Sequence, residues 1–128
     1  LFRSIDPGDG TAKLVMFVAH WCPHCQKEVP LVQQWIDDGL VPDDVELFAV
    51  STSVSADRPN YPPSQWLLAE GWTPPVLLDN PDQSAAMAYG LGSFPFFVAI
   101  GADGEVVRRG AGELPQADFV GLLDEISG

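Results

Sequence analysis

Apolar positions along this chain follow two rhythms, and the change between them marks out the elements. Lys13 to Ala19 is a continuous apolar run, the pattern of a strand covered on both faces of a sheet. From Pro23, a residue suited to a first helical position, Cys25, Val29, Val32 and Ile36 recur at helical spacing as far as Asp38-Gly39. Pro30 lies inside that pattern and predicts a kink, because it brings no N–H. Val45 to Val50 is a second apolar strand, so strand, helix and strand predict a right-handed βαβ unit and a sheet that is at least partly parallel.

The second half alternates more quickly. Residues 53–75 carry Pro59, Pro62, Pro63, Pro74 and Pro75 around a short helical candidate, Ser64 to Glu70, and read as an excursion from the core. Trp66 and Trp72 are expected to form a small core of their own within it. Val76 to Asp79 predicts a third short strand, and Asn80-Pro81 begins a helix that Gly90 ends. Phe96 to Ile100 and Glu105 to Arg109 flank Asp103-Gly104, the signal of an antiparallel hairpin. Phe119, Leu122, Leu123 and Ile126 then fall at i, i+3, i+4 and i+7 behind Pro115, predicting a closing helix. No internal repeat or low-complexity tract interrupts the pattern, and the whole of 1–128 reads as a single domain.

The 128 residues are 46% hydrophobic, enough for one well-filled core. With 6 Lys and Arg against 18 Asp and Glu, the net charge of −12 argues against a nucleic-acid or anionic-membrane surface, both of which call for basic patches. The acidic pairs Asp37-Asp38 and Asp43-Asp44, and Asp79, read as solvated charges. No stretch reaches the roughly 18 apolar residues of a membrane helix, and Leu1-Phe2-Arg3-Ser4 does not resemble a signal peptide. Without an initiating Met, the chain is expected to be an expressed or processed fragment lacking its targeting or anchoring segment. Neither Gly8-Asp-Gly10 nor Gly90-Leu-Gly92 completes a nucleotide-binding pattern.

Chemistry concentrates in Trp21-Cys22-Pro23-His24-Cys25, which holds the chain's two cysteines where the strand pattern gives way to the helical one. Positions i and i+3 at a helix start can meet the Cα separation of about 4.4 to 6.8 Å that a disulfide needs. The first of them faces unsatisfied N–H groups and the positive end of the helix dipole, which favour a thiolate. Cys22 is therefore the candidate attacking thiol, and Cys25, one turn further in, the resolving one. A structural zinc site lacks partners, since no second Cys-x-x-Cys and no distant His completes four ligands. Haem attachment needs His directly after the second cysteine, where Gln26 stands. His20 and His24 flanking Cys22 leave one rival class open, a Cu(I) or Zn cluster of His20, Cys22, His24 and Cys25. Otherwise His20 reads as a solvent-facing residue at a strand end.

Strand, Trp-Cys-x-x-Cys, kinked helix, strand, helix, then Pro before a hairpin and a final helix resemble the thioredoxin fold over most of the chain. Pro30 and the Phe94-Pro95-Phe96 junction look like that family's helix-kinking proline and its cis-proline facing the dithiol. The insertion at 53–75, the Leu-Leu-Asp-Asn strand end and the run Phe96 to Arg109 look more like the TlpA-type extracytoplasmic thiol-disulfide oxidoreductases. The resemblance implies an α/β fold, with a mixed central sheet flanked by helices. It also implies thiol-disulfide exchange with cysteine-containing substrate proteins and a redox recycling partner, without a cofactor. The expected protein is a monomer in the periplasm or cell envelope. The central Pro23-His24 is similar to that of DsbA-type oxidases, and a His able to stabilise the Cys22 thiolate makes the couple more oxidising. Two positions depart from the pattern. Met16 stands where thioredoxins resemble one another in a buried Asp, which disfavours efficient reduction unless Glu70 or a water substitutes, and Phe94 is bulkier than the usual residue before the cis-proline. Trp21, beside Cys22, suits an apolar platform for a polypeptide. An oxidase is the favoured reading; a TlpA-like reductase of apocytochrome or copper-protein cysteines is the alternative, and a redox-inert interaction domain a third.

Overall fold

The structure is a computed structural model, and it describes residues 9–90 and 93–128. Leu1 to Ser4, Gly8 and Gly92 of the segments discussed above lie outside those residues. Nine elements alternate along the described chain: β1 (Ala12–Val18), α1 (Pro23–Asp37), β2 (Val45–Ser51), α2 (Pro63–Ala69), β3 (Val76–Leu78), α3 (Ser84–Ala88), β4 (Phe96–Ile100), β5 (Val106–Ala111) and α4 (Gln116–Ile126). The strands form one five-stranded sheet in the order β3-β2-β1-β4-β5. The β1–β2 and β2–β3 pairs are parallel, whereas β1–β4 and β4–β5 are antiparallel. This is the mixed thioredoxin-like sheet expected from the order of elements.

The apolar run of β1 has the reason inferred for it. Leu14, Met16 and Val18 face one core with Val29, Val32, Phe97 and Phe119, while Val15 and Phe17 face a second with Val50, Phe96, Val98 and Ile100. Alternate side chains of a central strand thus enter opposite layers, and neither set can be polar. Trp35 of α1 meets Phe119 of α4 at a tilt with ring centroids 5.0 Å apart, so both long helices cover the same face. No helix among the described residues is long and apolar enough to cross a membrane.

Three sequence expectations shift. Trp66 and Trp72 do not form a separate core, since both join the main layer with the thiols and α1. The excursion is tied down by polar bonds as well: Gln33 of α1 accepts the Thr73 N–H at 2.9 Å through its side-chain oxygen. The helix expected from Asn80 to Gly90 is confined to Ser84–Ala88, because Gln83 takes a left-handed φ of 61° and turns the chain before the helix begins. The hairpin is displaced by one residue at its start. Glu105 closes the turn, its carbonyl accepting the Gly101 N–H, so β5 runs from Val106 to Ala111.

Asp79 is a structural group and not the solvated charge that its loop position implied. Its carboxylate accepts from Thr52 Oγ1 at 2.8 Å and from the N–H groups of Asn80, Ala85 and Ala86. Burial raises its carboxyl, but these hydrogen bonds more than offset that and leave it below the usual range. Asp79 thereby joins the end of β2 to the first turn of α3. Asp79→Ala is expected to cost about 2 kcal/mol in urea unfolding at pH 7, with the difference shrinking as pH falls below about 4, because the depressed carboxyl stabilises the fold only while ionised. An unchanged midpoint at pH 7 would contradict this bonding.

Candidate active site

The site forms where β1 ends. Val18 is the last residue of the strand, the Cys22 N–H bonds back to Ala19 at 3.0 Å, and Cys22 becomes the N-cap of α1 with an extended backbone. Pro23 follows at the first helical position as its fixed φ allows. No side chain caps the first turn, so its N–H groups point toward the Cys22 end without an intrahelical partner. Both cysteines are free thiols, Cys22 at 7% exposure and Cys25 at 0%. Burial pushes the Cys25 thiol well up from its usual value. A hydrogen bond to the Ala19 backbone opposes that rise, and interactions with Cys22 and the charge of Glu28 add to it. Cys25 is thus held protonated in the reduced form.

Glu28 is the group that sequence reasoning missed. It lies one turn beyond Cys25, is 1% exposed, and its Oε2 accepts the Leu114 N–H at 2.7 Å. Burial raises its carboxyl to about 7; the Leu114 bond pulls down, and the charge of Glu113 pushes further up. Met16, fully buried in the main core, supplies no base, as expected. The inference that an internal carboxylate is lacking is nonetheless corrected, because α1 supplies one from its own next turn. Glu70, the substitute considered, instead caps the end of α2. A signal existed: positions 25, 28, 29 and 32 share one helix stripe, and Glu28 is a charge on its buried side.

His20 also overturns its reading. It is 0% exposed, its Nε2 accepts the Ser55 N–H at 3.0 Å, and Nδ1 lies 2.7 Å from the Pro59 carbonyl. Those partners require the Nδ1–H tautomer and occupy both ring nitrogens. His20 therefore anchors the 53–60 segment and has no lone pair left for a metal. His24 points elsewhere, with Nδ1 2.6 Å from Glu113 Oε2. The four-residue metal cluster is not assembled, and among the described residues no group of three or more His, Cys, Asp or Glu could hold an ion.

The remaining predicted residues gather around the thiols. Trp21 is half-buried, donates its indole N–H to the Ser53 carbonyl at 2.8 Å, and meets the Phe94 ring edge-on at 5.9 Å. The Arg58 guanidinium covers it 4.2 Å from the ring centre. Phe94 packs on the same core as Cys22 and Cys25, and the Phe94-Pro95 peptide is cis. The Pro95 carbonyl accepts the Gly112 N–H at 2.8 Å. From Trp21 a groove of about 1020 Å³ runs between the 53–64 segment and β3, with Tyr61 and Leu78 exposed along it.

Two paired thiols at a helix start, one buried beside a carboxylate, with a cis-proline strand entering the same core, define a thioredoxin-like dithiol protein. The Redoxin family pattern matches residues 5–124, and the chain belongs to that family. Its fold and paired thiols are those of the thiol-disulfide oxidoreductases. It is 29% identical over 126 residues to the thiol:disulfide interchange protein HelX of Rhodobacter capsulatus, a match covering 98% of this chain and 66% of HelX. The chain thus spans just under two thirds of that relative's length. It is 25% identical to a thioredoxin-family thiol:disulfide interchange protein from Chlorobium tepidum, with a TM-score of 0.70 over 94% of this chain and 82% of that one. StoA from Bacillus subtilis shares the fold at 23% identity, with a TM-score of 0.74 over 91% of this chain and 84% of StoA.

A folded carboxyl near 7, against the usual 4.5, makes Glu28 a stability reporter. Between those values the folded protein keeps a proton that the unfolded chain has released, so stability falls as pH rises through that window and the penalty persists above it. Glu28→Gln in the reduced protein is expected to abolish this slope and to raise stability at pH 8 by on the order of 2 to 3 kcal/mol, read by urea unfolding at pH 5 and pH 8. Parallel pH profiles for the two proteins would remove Glu28 from the buried carboxylates.

Proposed function

We propose that the protein oxidises dithiols of substrate proteins through a Cys22–Cys25 disulfide, outside the cytoplasm where such bonds persist. The observation that carries this reading is the asymmetry of the pair: Cys22 at the open end of α1, Cys25 buried beside Glu28. In the oxidised form a substrate thiolate attacks Cys22 Sγ. The Cys22–Cys25 bond breaks, its electron pair passes to Cys25, and Cys25 takes a proton from Glu28. A second substrate thiolate then attacks the substrate sulfur of the mixed disulfide, and Cys22 leaves as thiolate. The substrate has lost two electrons and the protein dithiol has gained them; a redox partner restores the disulfide.

Each neighbour has a part in this scheme. A carboxyl near 7 is available as acid and as base at neutral pH, so Glu28 serves proton transfer in either direction. His24, in the first turn of α1, stabilises the departing Cys22 thiolate, and a more stable thiolate leaves faster and makes a stronger oxidant. The Pro95 carbonyl is already taken by Gly112, so a substrate strand pairs with the backbone at Phe94, just ahead of the β4 ladder. The apolar groove beside Trp21 favours a polypeptide over a small thiol.

Glu28 also favours a second reading, a reductase, because it supplies the base that lets Cys25 attack a mixed disulfide at Cys22. Apocytochrome or copper-protein cysteines remain the substrate class for that direction. Glutathione equilibration separates the two: a potential near about −120 mV is expected for the oxidant, and one near about −270 mV establishes the reductase instead. His24→Ser is expected to move the potential negative by roughly 30 mV, tenfold in the exchange constant. Cys25→Ser is expected to trap substrate as a mixed disulfide at Cys22, seen as a reducible adduct by mass spectrometry; trapping at Cys25 in Cys22→Ser alone would reverse the roles.

A further inference from the structure

Three consecutive residues after β5 each touch a different part of the site. The Gly112 N–H is bonded to the Pro95 carbonyl at 2.8 Å, Glu113 Oε2 lies 2.6 Å from His24 Nδ1, and the Leu114 N–H is bonded to Glu28 Oε2 at 2.7 Å. Gly112 has a φ of +81°, a left-handed conformation that a side chain would strain, and this turns the loop toward α1.

An imidazole and a carboxylate 64% and 36% exposed would ordinarily be a weak surface pair. Here the backbone on either side of Glu113 is fixed by hydrogen bonds to the site itself. Little further conformational entropy is lost when the side chain reaches His24. The contact also has a direction. An ionised carboxylate only accepts, so the His24 Nδ1 carries the hydrogen and its Nε2 edge is turned away from Glu113. Among the described residues the ring of His24 has no other hydrogen-bond partner.

We propose that Glu113 is a positioning residue that acts through His24: it clamps the imidazole in the orientation that stabilises the Cys22 thiolate and thereby helps set the redox potential. This rests on the tuning role assigned to His24 above. Freed of the clamp, an exposed histidine samples several rotamers, the reduced form loses part of its stabilisation, and the couple becomes less oxidising.

A double-mutant cycle on the full chain, read as the glutathione equilibrium constant, tests it. Glu113→Ala is expected to shift the constant about threefold toward the less oxidising side, about 14 mV. Glu113→Gln, which keeps an acceptor of the same reach, is expected to restore most of that shift. In a His24→Ser background Glu113→Ala is expected to change nothing. An equal shift in both backgrounds would assign the effect to Glu28 or to loop structure and overturn the proposal, as would no shift in the parent. If His24→Ser alone leaves the potential unchanged, the tuning role of His24 fails first, and the single variant identifies that failure separately from one confined to Glu113.

Discussion

Desolvation at the β1–α1 junction is the constraint on which the rest of the molecule turns. Met16, Val18 and Ala19 are shut in the same core as Cys22, Cys25 and Val29, so the strand end and the first turns of the helix cannot be separated without exposing that layer. Burial of this kind leaves the Cys22 thiol at the helix N-terminus slightly exposed and Cys25 wholly hidden. The same burial raises Cys25 and Glu28 together. Both groups resist carrying charge there, which sets this end of α1 apart from an ordinary exposed helix start.

Polar contacts converge on the same layer from distant parts of the chain. The 112–114 loop reaches α1 and the start of β4, while the 53–60 segment is held through both nitrogens of His20. Lys13, almost wholly buried at the opposite end of β1, is balanced by Asp9 and Glu46 at 2.7 and 3.1 Å. Lys13, His20 and Glu28 thus each have partners that fix one arrangement of chain, as the cost of leaving such groups unpaired requires. The insertion, with Trp66 and Trp72 in the main core, is part of the scaffold around the thiols.

Period and local chemistry were legible. The doubly covered β1, the helical stripe of α1, the hairpin at Asp103-Gly104 and the paired cysteines at the strand-to-helix change all follow from residues close in sequence, and each stands within a residue or two of where its pattern put it. Helix ends were less legible. The shortening of α3 depends on the φ of Gln83 and on Asp79, whose carboxylate had to find N–H groups six and seven residues on.

The sequence by itself determined the order of elements, the position of the dithiol and the residues beside it, because hydrophobic period and helix-start chemistry act over a few residues. Tertiary structure alone decided which polar side chains are buried and whom they meet. Glu28 is buried and meets the Leu114 N–H from 86 residues away, His24 gained Glu113 from 89 residues away, and His20 turned inward onto Ser55 and Pro59. The reason is physical: a charged or polar residue carries no periodic signal of its own, and its role is set by the dielectric and the partners that folding brings to it.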